Sequence, residues 1–81
     1  MTYYIITFDT THDALKAEKL LLKGTIVPVP SEISAGCGFA VRVDEWESAY
    51  SILKGSSAFS DIYRITGVGI AKIIEKVNEL E

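Results

Sequence analysis

The sequence is short of cysteine, of proline and of long apolar runs, and basic residues are its minority charge. Its 81 residues include one cysteine, Cys37, and two prolines, Pro28 and Pro30. One thiol cannot close an intramolecular disulfide or build an all-cysteine zinc site, so no disulfide framework is expected and a reducing compartment suits the chain. No apolar stretch approaches the roughly 20 residues that cross a bilayer, and the opening MTYYIITFDTTHD has no basic region leading into an apolar one. A cytoplasmic protein without membrane contact is expected. Eight Lys and Arg against eleven Asp and Glu give a formal net charge of −3, which argues against gripping a phosphate backbone, so nucleic acid is not an expected partner. A hydrophobic content of 48% with 23% charged residues describes a folded chain, and its length holds one domain with one core.

What is present falls into alternating elements. TYYIITF is β-branched and aromatic without a breaker, the composition of a central strand. DTTHDALKAEKLLLKG follows as a helix with Thr10 or Thr11 as N-cap, Asp13 in the first turn and Gly24 as terminator, burying Ala14, Ala17, Leu20 and Leu21. TIVPVP is a strand confined to a sheet edge by its prolines, and SEISAGCG is a loop. FAVRVD alternates as a strand. DEWESAYSILKG is a second helix, with Asp44 as N-cap, Glu47 three residues on, and Trp46, Ala49, Tyr50 and Leu53 at helical spacing. DIYRITG is the last core strand. In VGIAKIIEKVNELE, Ile70, Ile73, Ile74, Val77 and Leu80 recur at three and four residues, which predicts a terminal amphipathic helix over 68–80.

Strand, helix, strand, strand, helix, strand is the βαββαβ order of an α+β, ferredoxin-like two-layer sandwich over residues 3–66, with the terminal helix added to it. That helix would hide its apolar stripe on the open face of the sheet or on a second subunit, so a homodimer is compatible with the pattern. The topology gathers the loop with Cys37, the helix start with Thr10, Thr11 and His12, and the GSSAFS loop at one end of the sheet.

Cys37 stands between Gly36 and Gly38, which bring no side chain to cover the sulfur and let the backbone adopt positive φ. A helix N-terminus and a nearby cation both favour a thiolate, and His12 and Arg42 are the candidate cations. Each residue also has a plainer role: Cys37 as a small buried residue, His12 as a solvated first-turn residue, Arg42 as a solvated or ion-paired strand residue. One Cys and one His fall short of a metal site, so neither metal nor cofactor is expected. A Cys37 and His12 dyad would lack the chain to build a substrate pocket, and the glycine pair in TGVGIAKII is sufficiently explained by a turn.

The opening YYIITFDTTHDALKAEKLL and the loop PVPSEISAGCGFAVRV resemble the Se/S carrier protein-like family of small bacterial and archaeal proteins. The most specific part is a proline, then EIS, a short gap, CG and an apolar strand with arginine: Pro30, Glu32, Ile33, Ser34, Cys37, Gly38 and Arg42. This chain has Ser31 where the family has arginine, and its join KGTIV is short. The resemblance implies a cysteine that carries sulfur or selenium between donor and acceptor proteins, a stoichiometric carrier more than a true enzyme. A second reading needs no reactive thiol: a non-catalytic ligand-sensing or assembly module. Thiol chemistry separates the two.

Overall fold

A computed structural model of the protein describes residues 2–21, 24–33, 38–55, 59–67 and 72–77. It is a mixed α+β structure with the elements β1 (Thr2–Thr7), α1 (Thr11–Leu20), β2 (Thr25–Pro28), β3 (Phe39–Val43), α2 (Trp46–Leu53), β4 (Ile62–Thr66) and β5 (Ile73–Lys76). The five strands form one antiparallel sheet in the order β2-β3-β1-β4-β5. β1, the strand with the most β-branched and aromatic character, is central, and the proline-bearing β2 lies at an edge where a missing N–H costs no ladder bond.

Register sorts the side chains onto two faces. Tyr4 stands opposite Val43 and Arg64, and Ile6 opposite Val41 and Ile62; these residues share one face because side chains alternate along a strand. Ile6, Val41, Val43 and Ile62 form a core with Ala14, Ala17 and Leu21 next to and along α1, and with Ala49 and Leu53 of α2. Ala14 and Ala17 are fully buried, and their small side chains let α1 lie close on the sheet. Complete burial of a side chain such as Leu53 contributes about 1.5–3 kcal/mol. The other face carries Tyr3, Ile5, Ala40, Arg42, Tyr63 and Ile65 by the same register. Ile5, Ala40 and Ile65 make a second buried cluster there, with Tyr3, Val27, Val29 and Ile74 packed against it.

The expected helix over 68–80 is corrected: Ile73–Lys76 is strand β5, paired antiparallel to β4 with Ile74 opposite Ile65 and Ile73 opposite Thr66. Residues 68–71 and 78–80 of that expectation lie outside the described residues. Gly67, at φ 88°, turns the chain after β4 in a conformation only glycine adopts cheaply. Ile74 then joins the second cluster and Val77 the helix-face core, while Ile73 is 57% exposed. β-branched residues at 73, 74 and 77 suit a pleated strand as well as a helical stripe, and pairing with β4 decides between them.

Two local expectations also change. The N-cap of α2 is Glu45, not Asp44, and its side chain makes no cap bond. Leu20, expected in the buried stripe of α1, is 37% exposed.

Candidate functional site

Of the two caps the sequence offers, Thr10 and Thr11, Thr10 caps α1. Its backbone is extended at φ −133° and ψ 153°, and its Oγ1 accepts from the Asp13 N–H at 3.1 Å. That bond satisfies one of the donors a helix start leaves free. Thr11 and His12 are exposed on the first turn. Asp9, just before the cap, accepts from the Ser60 hydroxyl at 2.8 Å, which ties the helix start to the segment entering β4.

The β2–β3 hairpin opens at this same end of the sheet. Thr7 of β1 stands opposite Ala40 of β3, so the chain leaving β1 toward Asp9 and Thr10 and the chain arriving at β3 through Gly38 emerge side by side. Gly38 accepts from the Val29 N–H at 3.0 Å, extending the hairpin by one bond. Gly38 is exposed and a Cβ there would meet nothing within 4 Å. Among the described residues only Gly67 has positive φ, so Gly38 is not required by left-handed backbone; the open space is what it contributes. Gly36, Cys37 and Ser34 lie outside the described residues.

The motif segment before the thiol is compact. Ile33 N–H donates to the Pro30 carbonyl at 3.0 Å, closing a turn over Pro30–Ile33. Ile33 is buried at 7% exposure, and Ser31 and Glu32 are exposed. Glu32 Oε2 lies 3.7 Å from Lys72 Nζ. Lys72 was not singled out from the sequence, because the stretch around it has helical spacing and gave no reason to place it near the motif.

Arg42 does not join the helix start. It stands mid-strand opposite Thr25 and Ile5, on the face that no described helix covers, with its guanidinium carbon 4.1 Å from the centre of the Tyr3 ring. At this distance the negative face of the ring attracts the cation and helps hold it in place. Tyr3 is a partner that strand composition alone could not supply.

Among the described residues, no three His, Cys, Asp or Glu side chains gather where they could hold a metal ion, and no helix is long and apolar enough to cross a membrane. A groove of about 410 Å³ lies at the opposite end of the sheet, between the end of α1 and the start of α2, lined by Leu20, Val43, Asp44, Ala49 and Ile52 among others. It is remote from the hairpin mouth.

No curated protein and no solved structure matches the chain. A family model, described as "Putative Se/S carrier protein-like", matches residues 3–64. That span holds β1 through most of β4, both helices and the whole Pro30 to Arg42 motif. With most of its length covered, the chain belongs to the Se/S carrier protein-like family.

Proposed function

We propose that the protein is a carrier that holds sulfur or selenium on Cys37 and delivers it to a partner protein. The observation that carries this reading is the family match over residues 3–64, which spans the only cysteine and its motif. The open space at Gly38 and the exposed Ser31 and Glu32 on either side of the loop support access to it. In this reading the chain is a single domain. Its β1–β4 part with two helices is ferredoxin-like, which the strand order β2-β3-β1-β4 supports.

The transfer is redox-neutral. The Cys37 thiolate attacks the terminal sulfur of a donor persulfide, a new S–S bond forms at Cys37 as the donor's S–S bond breaks, and the donor leaves as a thiolate that keeps the electron pair. The terminal proton travels with the transferred sulfur. An acceptor nucleophile then takes that sulfur and returns Cys37 as thiolate. The step consumes no external oxidant or reductant, so the protein turns over as a shuttle between a donor and an acceptor.

The roles of the other residues follow. Gly36 and Gly38 flank the thiol without any side chain that could cover it. The start of α1, with Thr10, Thr11 and His12 at the same end as the hairpin mouth, supplies partial positive charge toward a thiolate. Pro30, Glu32, Ile33 and Ser34 shape the approach to the loop. Arg42, exposed and set on Tyr3, presents donors to an anionic partner surface. The cytoplasm, with its reducing poise, suits such a thiol.

The experiment is the pH dependence of Cys37 alkylation in the native protein against the same protein unfolded. The carrier reading expects native alkylation at least as fast as in the unfolded chain, with an apparent pKa below the ordinary thiol value of about 8.5. A thiol protected until the protein unfolds would refute it.

A further inference from the structure

β2 and β5 are the opposite edges of the five-stranded sheet. Four strand spacings separate them by about 19 Å, more than a lysine and a glutamate can bridge from two edges. Yet Glu32, four residues beyond the end of β2, and Lys72, the residue before β5, approach to 3.7 Å. The pair also joins opposite ends of the strands: Pro28 stands opposite Phe39 at the hairpin end, whereas Ile73 stands opposite Thr66 at the far end. Contact requires the chain leaving β2 and the chain entering β5 to lean toward each other across the sheet. One face already carries α1 and α2, so the crossing lies over the other, where Ala40 and Ile65 are fully buried although no described helix covers them. Ile33, next to Glu32, is itself buried and closes the Pro30–Ile33 turn.

We propose that Lys72 is a positioning residue for the motif segment Pro30–Ile33, so that the chain entering β5, beyond the family-matched residues 3–64, clamps the segment that leads to the thiol. Glu32 in the motif is then the acceptor for this clamp, and Ile33 is the apolar anchor beside it. The half-buried lysine, 25% exposed against 55% for Glu32, is the more fixed partner. The consequence for Cys37 rests on the carrier reading; the clamp on Pro30–Ile33 rests on the geometry alone.

The test compares Lys72→Glu, Glu32→Lys, the charge-swapped double variant and Lys72→Arg, with Lys72→Gln as a milder substitution should the reversal fail to fold. Two quantities are read: amide hydrogen exchange at Ile33, and the rate of Cys37 alkylation at one pH in low and in high salt. The single reversals and Lys72→Gln should raise Ile33 exchange up to about fivefold, the range of an exposed ion pair, and change the alkylation rate by a similar factor. The swap should restore both, Lys72→Arg should retain both, and high salt should move the wild type toward the Lys72→Gln values. Unchanged Ile33 exchange, or a swap that does not rescue it, would overturn the clamp, and changed exchange with unchanged alkylation would overturn its extension to the thiol. Loading of sulfur on Cys37 decides the carrier reading separately, because Ile33 exchange does not depend on what the thiol holds.

Discussion

Thr7 and Asp61, 54 residues apart, hold each other through backbone and side chain together. The Thr7 N–H donates to the Asp61 carbonyl at 2.8 Å, and the Thr7 hydroxyl both donates to that carbonyl at 3.3 Å and accepts from the Asp61 N–H at 3.2 Å. Ser60 N–H closes the set on the Thr7 carbonyl at 2.8 Å. These bonds lock the hairpin end of β1 to the start of β4, next to Asp9 and the cap of α1. Thr7 is 1% exposed, so Thr7→Val keeps the shape and strands a partly buried donor. A loss of about 1–3 kcal/mol is expected in urea unfolding, with a smaller loss for Thr7→Ser, which keeps the hydroxyl.

Gly24 sits against the sheet so closely that a Cβ there would stand 2.8 Å from Val41 Cγ1 and 3.1 Å from the Leu21 Cβ. Val41 is fully buried in the core and has little room to move. Gly24→Ala should therefore destabilise by about 1–3 kcal/mol through overpacking. In a Gly24→Ala, Val41→Ala double variant the two losses should be less than additive, because the second substitution removes the clashing methyl. Full additivity in denaturant titrations would place the strain elsewhere.

β5 and the residue that follows it make opposite demands on two positions four apart. Val77 is 3% exposed and Ile73 57%. Val77→Ala should cost about 1–3 kcal/mol, whereas Ile73→Thr, β-branched and solvent-facing, should stay within about 0.5 kcal/mol. A helix burying both would make the two substitutions comparably harmful. Cross-strand contacts between Ile65 and Ile74 in solution NMR spectra provide the direct check.

Lys76 bonds Asp61 at 3.0 Å, and that hydrogen bond, with the carboxylate's charge, raises the lysine pKa above its ordinary value of 10.5. The folded state holds the proton more tightly than the unfolded chain. Its stabilisation is therefore whole below pH 10.5 and is lost as pH rises through the higher folded-state pKa. The lysine is exposed and the carboxylate partly so, and solvent screening keeps the effect small. Unfolding free energies measured from pH 8 upward should fall more steeply above pH 10.5 in the wild type than in Lys76→Met. Parallel curves would mean the pair contributes nothing in solution.

Much of this architecture could be read from residue type because local and global preferences agree. The unbroken β-branched run of β1 reads as central, Pro28 and Pro30 confine the segment TIVPVP to an edge, and Thr10 or Thr11 could be named as the cap from their place before HDALKAEKL. β5 could not be read that way: Ile73, Ile74 and Val77 satisfy a helical stripe and a pleated edge equally, and only pairing with β4 separates them. The Glu32 and Lys72 contact was invisible for the same reason, since it depends on where β5 lies. Arg42 was visible as a cation in the motif, but its seat on Tyr3 is a relation between strands that no single segment encodes.

The most direct measurement of the carrier reading is the intact mass of the native protein after exposure to a persulfide donor and removal of excess donor, with Cys37→Ser as control. The account predicts addition of one sulfur mass to the wild type, none to Cys37→Ser, and its release by a thiol acceptor. A wild-type mass that stays unchanged under conditions where the unfolded chain takes up sulfur would contradict the account and make Cys37 a structural residue.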